Sequence, residues 1–212
     1  PTGGGKSLCY QVPALYLKGI TLVITPLIAL MKDQVLNLHQ KNINASAIHS
    51  GMNSMEVSNI ISNCIYGKTK LLYVSPERLQ SSGFQQRLSE LDIRLIAVDE
   101  AHCISQWGHD FRPEYRRLRE IINNIGAAPV MALTATATPK VRQDIIKNLQ
   151  IADAKLFLAS FNRENLFYEI KPKIDVAKQI IKFIHNHEGE SGIVYCLSRK
   201  KVEEIAETLQ IN

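Results

Sequence analysis

Short apolar runs alternate along the chain with segments whose apolar positions recur at helical spacing. Ile20–Thr25 reads as a buried strand. Leu27, Leu30, Met31, Val35 and Leu38 then mark a helix face. Further strands are expected at Ser46–His49, Lys70–Val74, Leu95–Val98 and Pro129–Leu133. Thr138-Pro139 is a helix start, with Thr as N-cap and Pro in the first turn, and Val141, Ile145, Ile146 and Leu149 line one face of the helix it opens. Near-continuous apolar strands between helices imply an α/β fold with a mainly parallel sheet covered on both sides.

Around residues 158–172 the pattern changes. A polar, turn-like stretch at Ser160–Asn165 is followed by an expected strand at Leu166–Ile170. Val176, Ile180, Ile181 and Ile184 mark a helix, Gly192–Cys196 a buried strand, and Val202, Ile205, Ala206 and Leu209 a last helix. This reads as the opening of a second α/β unit. The expected organisation is a first domain over 1–160, a junction over 161–172 and the start of a second domain over 173–212. The last stretch, about 40 residues, is short of what a core of its own needs. Because the chain begins with Pro inside a functional loop and ends in a helical pattern, a fragment is expected.

Composition narrows the class only a little. With 45% hydrophobic and 21% charged residues, a disordered or collagen-like chain is excluded. No apolar run approaches the roughly 20 residues of a membrane span, so no membrane partner is expected. The four cysteines, Cys9, Cys64, Cys103 and Cys196, form no CxxC pair, which argues against a zinc site or a disulfide framework and for a reducing, cytoplasmic setting. The net charge of +5 hints only weakly at a polyanionic partner. Residues 99–119 are locally neutral, Asp99, Glu100, Asp110 and Glu114 balancing Arg112, Arg116, Arg117 and Arg119.

Three motifs carry chemistry. Gly3-Gly4-Gly5-Lys6-Ser7 matches the end of the phosphate-binding pattern GxxxxGK[ST], whose first glycine would precede residue 1. The glycines let backbone N–H groups face phosphate oxygens, Lys6 would reach the β- and γ-phosphates, and Ser7 would bind Mg²⁺. Leu8–Val12 can be helical, adding a helix N-terminus to the anion site, and Pro13 is expected to end or kink that helix. For a lone pattern, a Gly-rich surface turn is the competing reading.

The second motif tips the balance. The apolar run Leu95–Val98 enters Asp99-Glu100-Ala101-His102. Two acids at a strand end build a poor core but suit a cation at the carboxyl edge of a parallel sheet. Asp99 would bind the metal through water, and Glu100 would orient and activate attacking water. His102 could link the nucleotide to another site, or be satisfied locally.

The third follows it. His102–Tyr115 holds the only Trp, Trp107, with Phe111 and Tyr115 interleaved with Gln106, His109 and Arg112. Aromatic faces stack on unpaired bases and the polar groups can bind phosphates. Taken alone these aromatics would be read as core. Finally, the threonines of Leu133–Thr138 can hydrogen-bond to the acidic motif or to a neighbouring domain, Thr138 serving as a cap.

These residues resemble a known family. PTGGGKSLCYQ, TPLIALMKDQV, SPERL, AVDEAHCISQWGHDFRPEY, LTATATP, SFNRENLFYE and GIVYCLSRK stand in the order found in RecQ-type DNA helicases of superfamily 2. DEAD-box RNA helicases would show Asp at position 102 and an SAT-like motif in place of LTATA. The resemblance implies a 3′-to-5′ ATP-dependent motor of two RecA-like domains that translocates on single-stranded DNA and unwinds duplex or junction DNA in recombination and repair. The chain would then hold the first RecA-like P-loop domain and the start of the second. ATP and Mg²⁺ are the implied cofactors, and a nucleoid or nuclear site the implied location.

The resemblance assigns Gly3, Gly4, Gly5, Lys6 and Ser7 to the nucleotide loop, and Asp99 and Glu100 to Mg²⁺ and water. His102, Gln106, Trp107, His109, Phe111 and Arg112 would couple DNA binding to hydrolysis. Thr25-Pro26-Leu27 and Ser75-Pro76-Glu77-Arg78 would contact the strand, Thr134 and Thr136 would relay between nucleotide and DNA, and Arg163 falls at the junction. An adenine-reading Gln motif, an arginine finger, a zinc region and a winged-helix domain would lie outside these residues. An arginine finger contributes a factor of roughly 10³ or more, so the isolated chain is expected to hydrolyse ATP poorly and not to unwind DNA. The alternatives are a non-catalytic nucleotide- and single-strand-binding remnant, or another superfamily 2 translocase. On the physics of stacking RNA remains possible as a substrate, and only the resemblance favours DNA.

Overall fold

The computed structural model describes residues 4–159 and 165–211. Gly3 and Arg163 lie outside the described residues. The chain divides into two compact units, 1–161 and 162–212.

The first unit alternates α1 (Leu8–Tyr16), β1 (Ile20–Ile24), α2 (Ile28–Gln40), β2 (Ala45–Ile48), α3 (Ser54–Tyr66), β3 (Leu71–Val74), α4 (Ser82–Ser89), β4 (Ile93–Val98), α5 (Leu118–Ile125), β5 (Val130–Ala132) and α6 (Pro139–Leu149). The five strands form one sheet in the order β2-β3-β1-β4-β5, and every pairing is parallel. All five residues of β1 are buried, as a strand covered on both faces requires.

Alternation along each strand splits the core in two. Ile20, Leu22 and Ile24 of β1, Leu72 and Val74 of β3, and Ile96 and Val98 of β4 pack with α3, α4, α5 and α6. Val23, Leu71, Tyr73, Leu95 and Ala97 face the other way, onto Tyr10 and Ala14 of α1 and Met31 and Leu38 of α2. The residues read as one face of α2 are divided accordingly: Met31 and Leu38 are buried, whereas Leu27 and Leu30 are 47% and 36% exposed.

Chain direction is set at a few points. Gly19, with φ 95°, brings the start of β1 so close to the Asp92 carbonyl that a side chain there would collide with it. α3 begins with a capping box: Asn53 Oδ1 accepts from Glu56 N–H at 2.9 Å, and Glu56 Oε2 accepts from Asn53 N–H at 2.8 Å. Thr138 caps α6 as its sequence implies, its hydroxyl accepting from Val141 N–H at 3.4 Å.

Pro13 does not end α1. The helix runs on to Tyr16, and Leu17 N–H donates to the Pro13 carbonyl at 2.9 Å. Proline removes one helical donor, but Tyr10 and Ala14 on either side of it are each only 1% exposed, and that burial outweighs the lost bond.

In the second unit, α7 (Val176–His185) and α8 (Arg199–Ile211) form where helical spacing places them. The strands expected at 166–170 and 192–196 do not form. Among the described residues no strand follows Ala132, and Ile170, Ile193 and Tyr195 are 97%, 78% and 88% exposed. A helix closes its hydrogen bonds within itself, whereas a strand needs a neighbour on its ladder, and these segments have none among the described residues.

Leu72 stands at the centre of β3 and is fully buried. Leu72→Ala should lower the stability of the first unit by about 2–5 kcal/mol, measured by urea denaturation followed by circular dichroism. A loss near zero would contradict the packing described.

Candidate active site at the carboxyl edge of the sheet

Because the strands are parallel, their carboxyl ends meet on one edge, and the ladder continues into the loops beyond them. Thr25 N–H donates to Val74 O at 3.2 Å, Ser75 N–H to Ile48 O at 3.1 Å, Asp99 N–H to Ile24 O at 2.8 Å, and Leu133 N–H to Val98 O at 2.9 Å. The Thr25, Ser75, Asp99 and Thr134 segments are thereby fixed side by side. The order of strands reverses at β1, the position where open α/β sheets bind ligands. Two clefts, of about 460 and 450 Å³, lie at the opposite, amino-terminal edge, lined by residues such as Ile93 and Pro129 in one and Gly19 and Lys70 in the other. Neither contains a residue singled out for chemistry.

The glycine loop leads directly into α1. Gly5 has φ 78°, and Leu8 N–H and Cys9 N–H donate to the carbonyls of Gly5 and Lys6 at 2.9 and 3.0 Å. The start of α1 is thus a helix N-terminus with a lysine beside it, suited to an anion. Lys6 Nζ lies 3.9 Å from Glu100 Oε1, both side chains about one-fifth exposed.

Asp99 and Glu100 are neighbours in very different surroundings. Asp99 is 7% exposed. Burial raises its pKa, a shift partly opposed by the hydrogen bond its Oδ1 accepts from Glu100 N–H at 2.9 Å. Glu100 is lowered, chiefly by a hydrogen bond from His102. His102 Nδ1 lies 3.2 Å from Glu100 Oε2 and 3.0 Å from Thr134 Oγ1, within hydrogen-bonding distance of both the carboxylate and the hydroxyl. Glu100 is itself left-handed, with φ 46° and ψ 43°. A buried carboxyl whose charge is disfavoured, with Lys6 of the glycine loop among the charges acting on it, fits a divalent cation, which would restore the charge of Asp99.

The polar chain continues outward. The His102 and His109 rings stack with centroids 4.1 Å apart. His109 Nδ1 is 3.3 Å from Thr136 Oγ1, and Thr136 N–H donates to Thr134 Oγ1 at 3.2 Å. Lys6, Glu100, His102, His109, Thr134 and Thr136 therefore form one contiguous cluster.

Arg112 gathers three loops. Its Nε donates to Asp110 Oδ2 at 3.2 Å, one terminal nitrogen lies 3.4 Å from Pro26 O, and the same nitrogen is 3.6 Å from Glu77 Oε1. Trp107 is 63% exposed, and Lys140 Nζ sits 3.2 Å from the centroid of its ring. Phe111 lies under Arg116, 5.2 Å from its guanidinium carbon. Gln106 is exposed. Gly108 is required by space, because a Cβ there would run into the His102 carbonyl.

Other singled-out residues point elsewhere. Tyr115 belongs to the core: it is fully buried and its hydroxyl donates to Asp99 O at 3.1 Å. Ser75 is fully buried, with Oγ accepting from Arg78 N–H at 3.4 Å. Thr25 is buried, and its hydroxyl has no hydrogen-bond partner among the described residues. Arg78 packs over Phe84, 5.5 Å from its ring centroid. Cys103 is buried beside Asp110 and its thiol is pushed up to about 12, which leaves it unreactive. Sequence reasoning missed Glu77 and Asp110 as partners of Arg112. It also missed Asp144, whose Oδ2 accepts from Ser105 Oγ at 2.6 Å. Asp110 and Arg112 stand close enough in sequence to suggest a pair; Asp144 gives no such signal.

The DEAD/DEAH box helicase family model matches residues 1–145. The chain belongs to the DEAD/DEAH box helicase family. Within it, this helicase-family chain is 47% identical to the ATP-dependent DNA helicase RecQ of Pasteurella multocida, over 99% of its own residues and 33% of the relative's. It is 46% identical to RecQ of Bacillus subtilis, over 100% and 36%, and 44% identical to ATP-dependent DNA helicase Q1 of Mus musculus, over 99% and 34%. The chain thus spans about a third of the length of these relatives. Among solved structures, the DUF1998 helicase MrfA superposes with a TM-score of 0.72 at 20% identity, over 100% of this chain and 35% of MrfA. The Hef helicase domain of Pyrococcus furiosus gives 0.55 at 23%, over 71% and 32%. Both are likenesses of fold. No helix among the described residues is long and apolar enough to cross a membrane.

Gly108→Ala should cost about 1–3 kcal/mol and loosen the Trp107 loop. As Trp107 is the only Trp, its fluorescence should become more readily quenched by acrylamide while far-ultraviolet circular dichroism is unchanged. Unaltered quenching would show that the loop tolerates a side chain there.

Proposed function

We propose that this chain is the nucleotide-hydrolysing part of an ATP-dependent DNA helicase that moves 3′-to-5′ on single-stranded DNA and opens duplex and junction DNA in recombination and repair. The observation that carries the reading is the unbroken contact path from Lys6 through Glu100 and His102 to Thr134, His109 and Thr136. It links a phosphate loop to an aromatic loop whose Trp107 is exposed.

Gly3, Gly4, Gly5 and Lys6 hold the triphosphate, with the start of α1 facing it. Ser7 and Asp99 hold Mg²⁺, which when bound offsets negative charge on the phosphates. Glu100 orients the attacking water and takes its proton; its lowered pKa keeps it a carboxylate at neutral pH. His102 holds Glu100 in place, so a shift of the His109–Thr136 pair reaches the base through two contacts.

On the nucleic-acid side, Gln106, Trp107 and Phe111 offer stacking and polar contacts. Arg112 keeps the Thr25-Pro26 turn and the Ser75–Arg78 turn beside them. Residues 173–212 open a second RecA-like domain, with Arg163 at the junction. On this reading the protein works where DNA is, in a nucleoid or nucleus.

Glu100→Gln in the full-length gene product should leave nucleotide affinity in place and reduce hydrolysis by roughly 10²–10⁴-fold. His102→Ala should lower DNA-stimulated hydrolysis far more than DNA-free hydrolysis. Equal hydrolysis by Glu100→Gln and the unaltered protein would remove Glu100 from the mechanism. The 212-residue chain alone should bind a fluorescent ATP analogue but turn over ATP at least ~10³-fold more slowly than a motor supplied with an arginine finger. Robust DNA-stimulated turnover by the chain alone would contradict this.

A further inference from the structure

Ser105 lies between the histidine at the base of the loop and the tryptophan at its tip, and is only 1% exposed. Its N–H donates to His102 O at 3.1 Å, its carbonyl accepts from Gly108 N–H at 3.0 Å, and its hydroxyl accepts from Trp107 N–H at 3.2 Å. That hydroxyl in turn donates to Asp144 Oδ2 at 2.6 Å, the short distance of a hydrogen bond to a carboxylate. Asp144 stands on α6, 39 positions further along the chain.

One turn before Asp144 on the same face of α6 stands Lys140, and its ammonium covers one face of Trp107. The other end of the connection is also tied down. α6 starts at the Thr138 cap, directly after Thr134 and Thr136, which touch His102 and His109. The result is a closed mechanical ring: His102 to Thr134, along the chain into α6, from Asp144 to Ser105, and back to His102.

We infer that Asp144 is a positioning residue: through Ser105 it anchors the Trp107 loop to α6, so that α6 and the loop move as one body with His102. Lys140 holds the ring in place in the same docked arrangement. Neither Asp144 nor Ser105 is among the residues assigned above to nucleotide or nucleic acid. The inference rests on the coupling role proposed for the loop. It adds that the coupling is carried by α6 and not by the loop alone.

The test compares Ser105→Ala, Asp144→Ala and Asp144→Asn. In the full-length gene product, both alanine variants should keep wild-type nucleotide affinity and DNA-free hydrolysis, while DNA stimulation falls roughly ten- to a hundredfold. Asp144→Asn keeps an oxygen that can accept from Ser105 and should recover much of the stimulation. In the 212-residue chain, acrylamide quenching of Trp107 should rise in the order unaltered, Asp144→Asn, Asp144→Ala. DNA stimulation unaffected by Asp144→Ala overturns the inference. So does an equal fall in DNA-free and DNA-stimulated rates, which marks a general folding defect. If the unaltered protein shows no DNA stimulation at all, the proposed function fails, and the anchor is then judged on quenching alone: raised quenching in Asp144→Ala supports it, and unchanged quenching overturns it.

Discussion

The site depends on one left-handed residue. At the end of β4, Asp99 is still held on the ladder by its N–H to Ile24 O, and the next residue, Glu100, turns the chain with φ 46°. Such a conformation costs a non-glycine residue roughly 1–3 kcal/mol and persists only where the surroundings impose it. Here they do so from both sides. Tyr115 donates to the Asp99 carbonyl, and Ala101 N–H donates to Leu133 O on the neighbouring segment. The turn points the Glu100 carboxylate at Lys6 and His102; an extended residue would continue the strand and carry the acid past both.

The same turn separates two adjacent carboxyls chemically. Asp99 stays in the buried sheet edge, where loss of water disfavours its charge. Glu100 emerges among hydrogen-bond donors and cations that favour its charge. Paired carboxyls pushed apart by their environments commonly divide roles between them. On the proposed function, Asp99 takes the cation and Glu100 the reacting water.

Around this edge the first unit is a layered α/β body with two cores, one on each side of the sheet. The loops that carry the polar cluster are tied back to neighbouring turns, strands or helices: Arg112 to the Pro26 and Glu77 turns, Ser105 to α6, His102 to Thr134. The second unit shows what the absence of a ladder does. Its helices α7 and α8 form, but α7 buries no residue and α8 buries only Ile205 among the described residues.

In the first unit the five strands and helices α1, α2 and α6 were legible in the sequence because each leaves a local signature: apolar runs for covered strands, helical spacing for α2 and α6, a Thr-Pro start for α6; α3, α4 and α5 were not anticipated. The phosphate loop, the acidic strand end and the aromatic loop were legible for the same reason, as contiguous residue types. Three further features were not. Pro13 reads locally as a break, yet burial on both sides of it carries α1 through. The runs at 166–170 and 192–196 have strand composition but no partner to pair with among the described residues. The contacts of Arg112 with Pro26 and of Ser105 with Asp144 join residues 86 and 39 positions apart. Sequence alone determined α1, α2, α6, α7 and α8, the strands of the first sheet and the chemistry each motif could offer, since these follow from interactions between near neighbours. Which loops meet, which threonine faces which histidine and which acid keeps its charge were decided by the order and parallel alignment of the strands, because only a completed sheet brings distant residues within hydrogen-bonding distance.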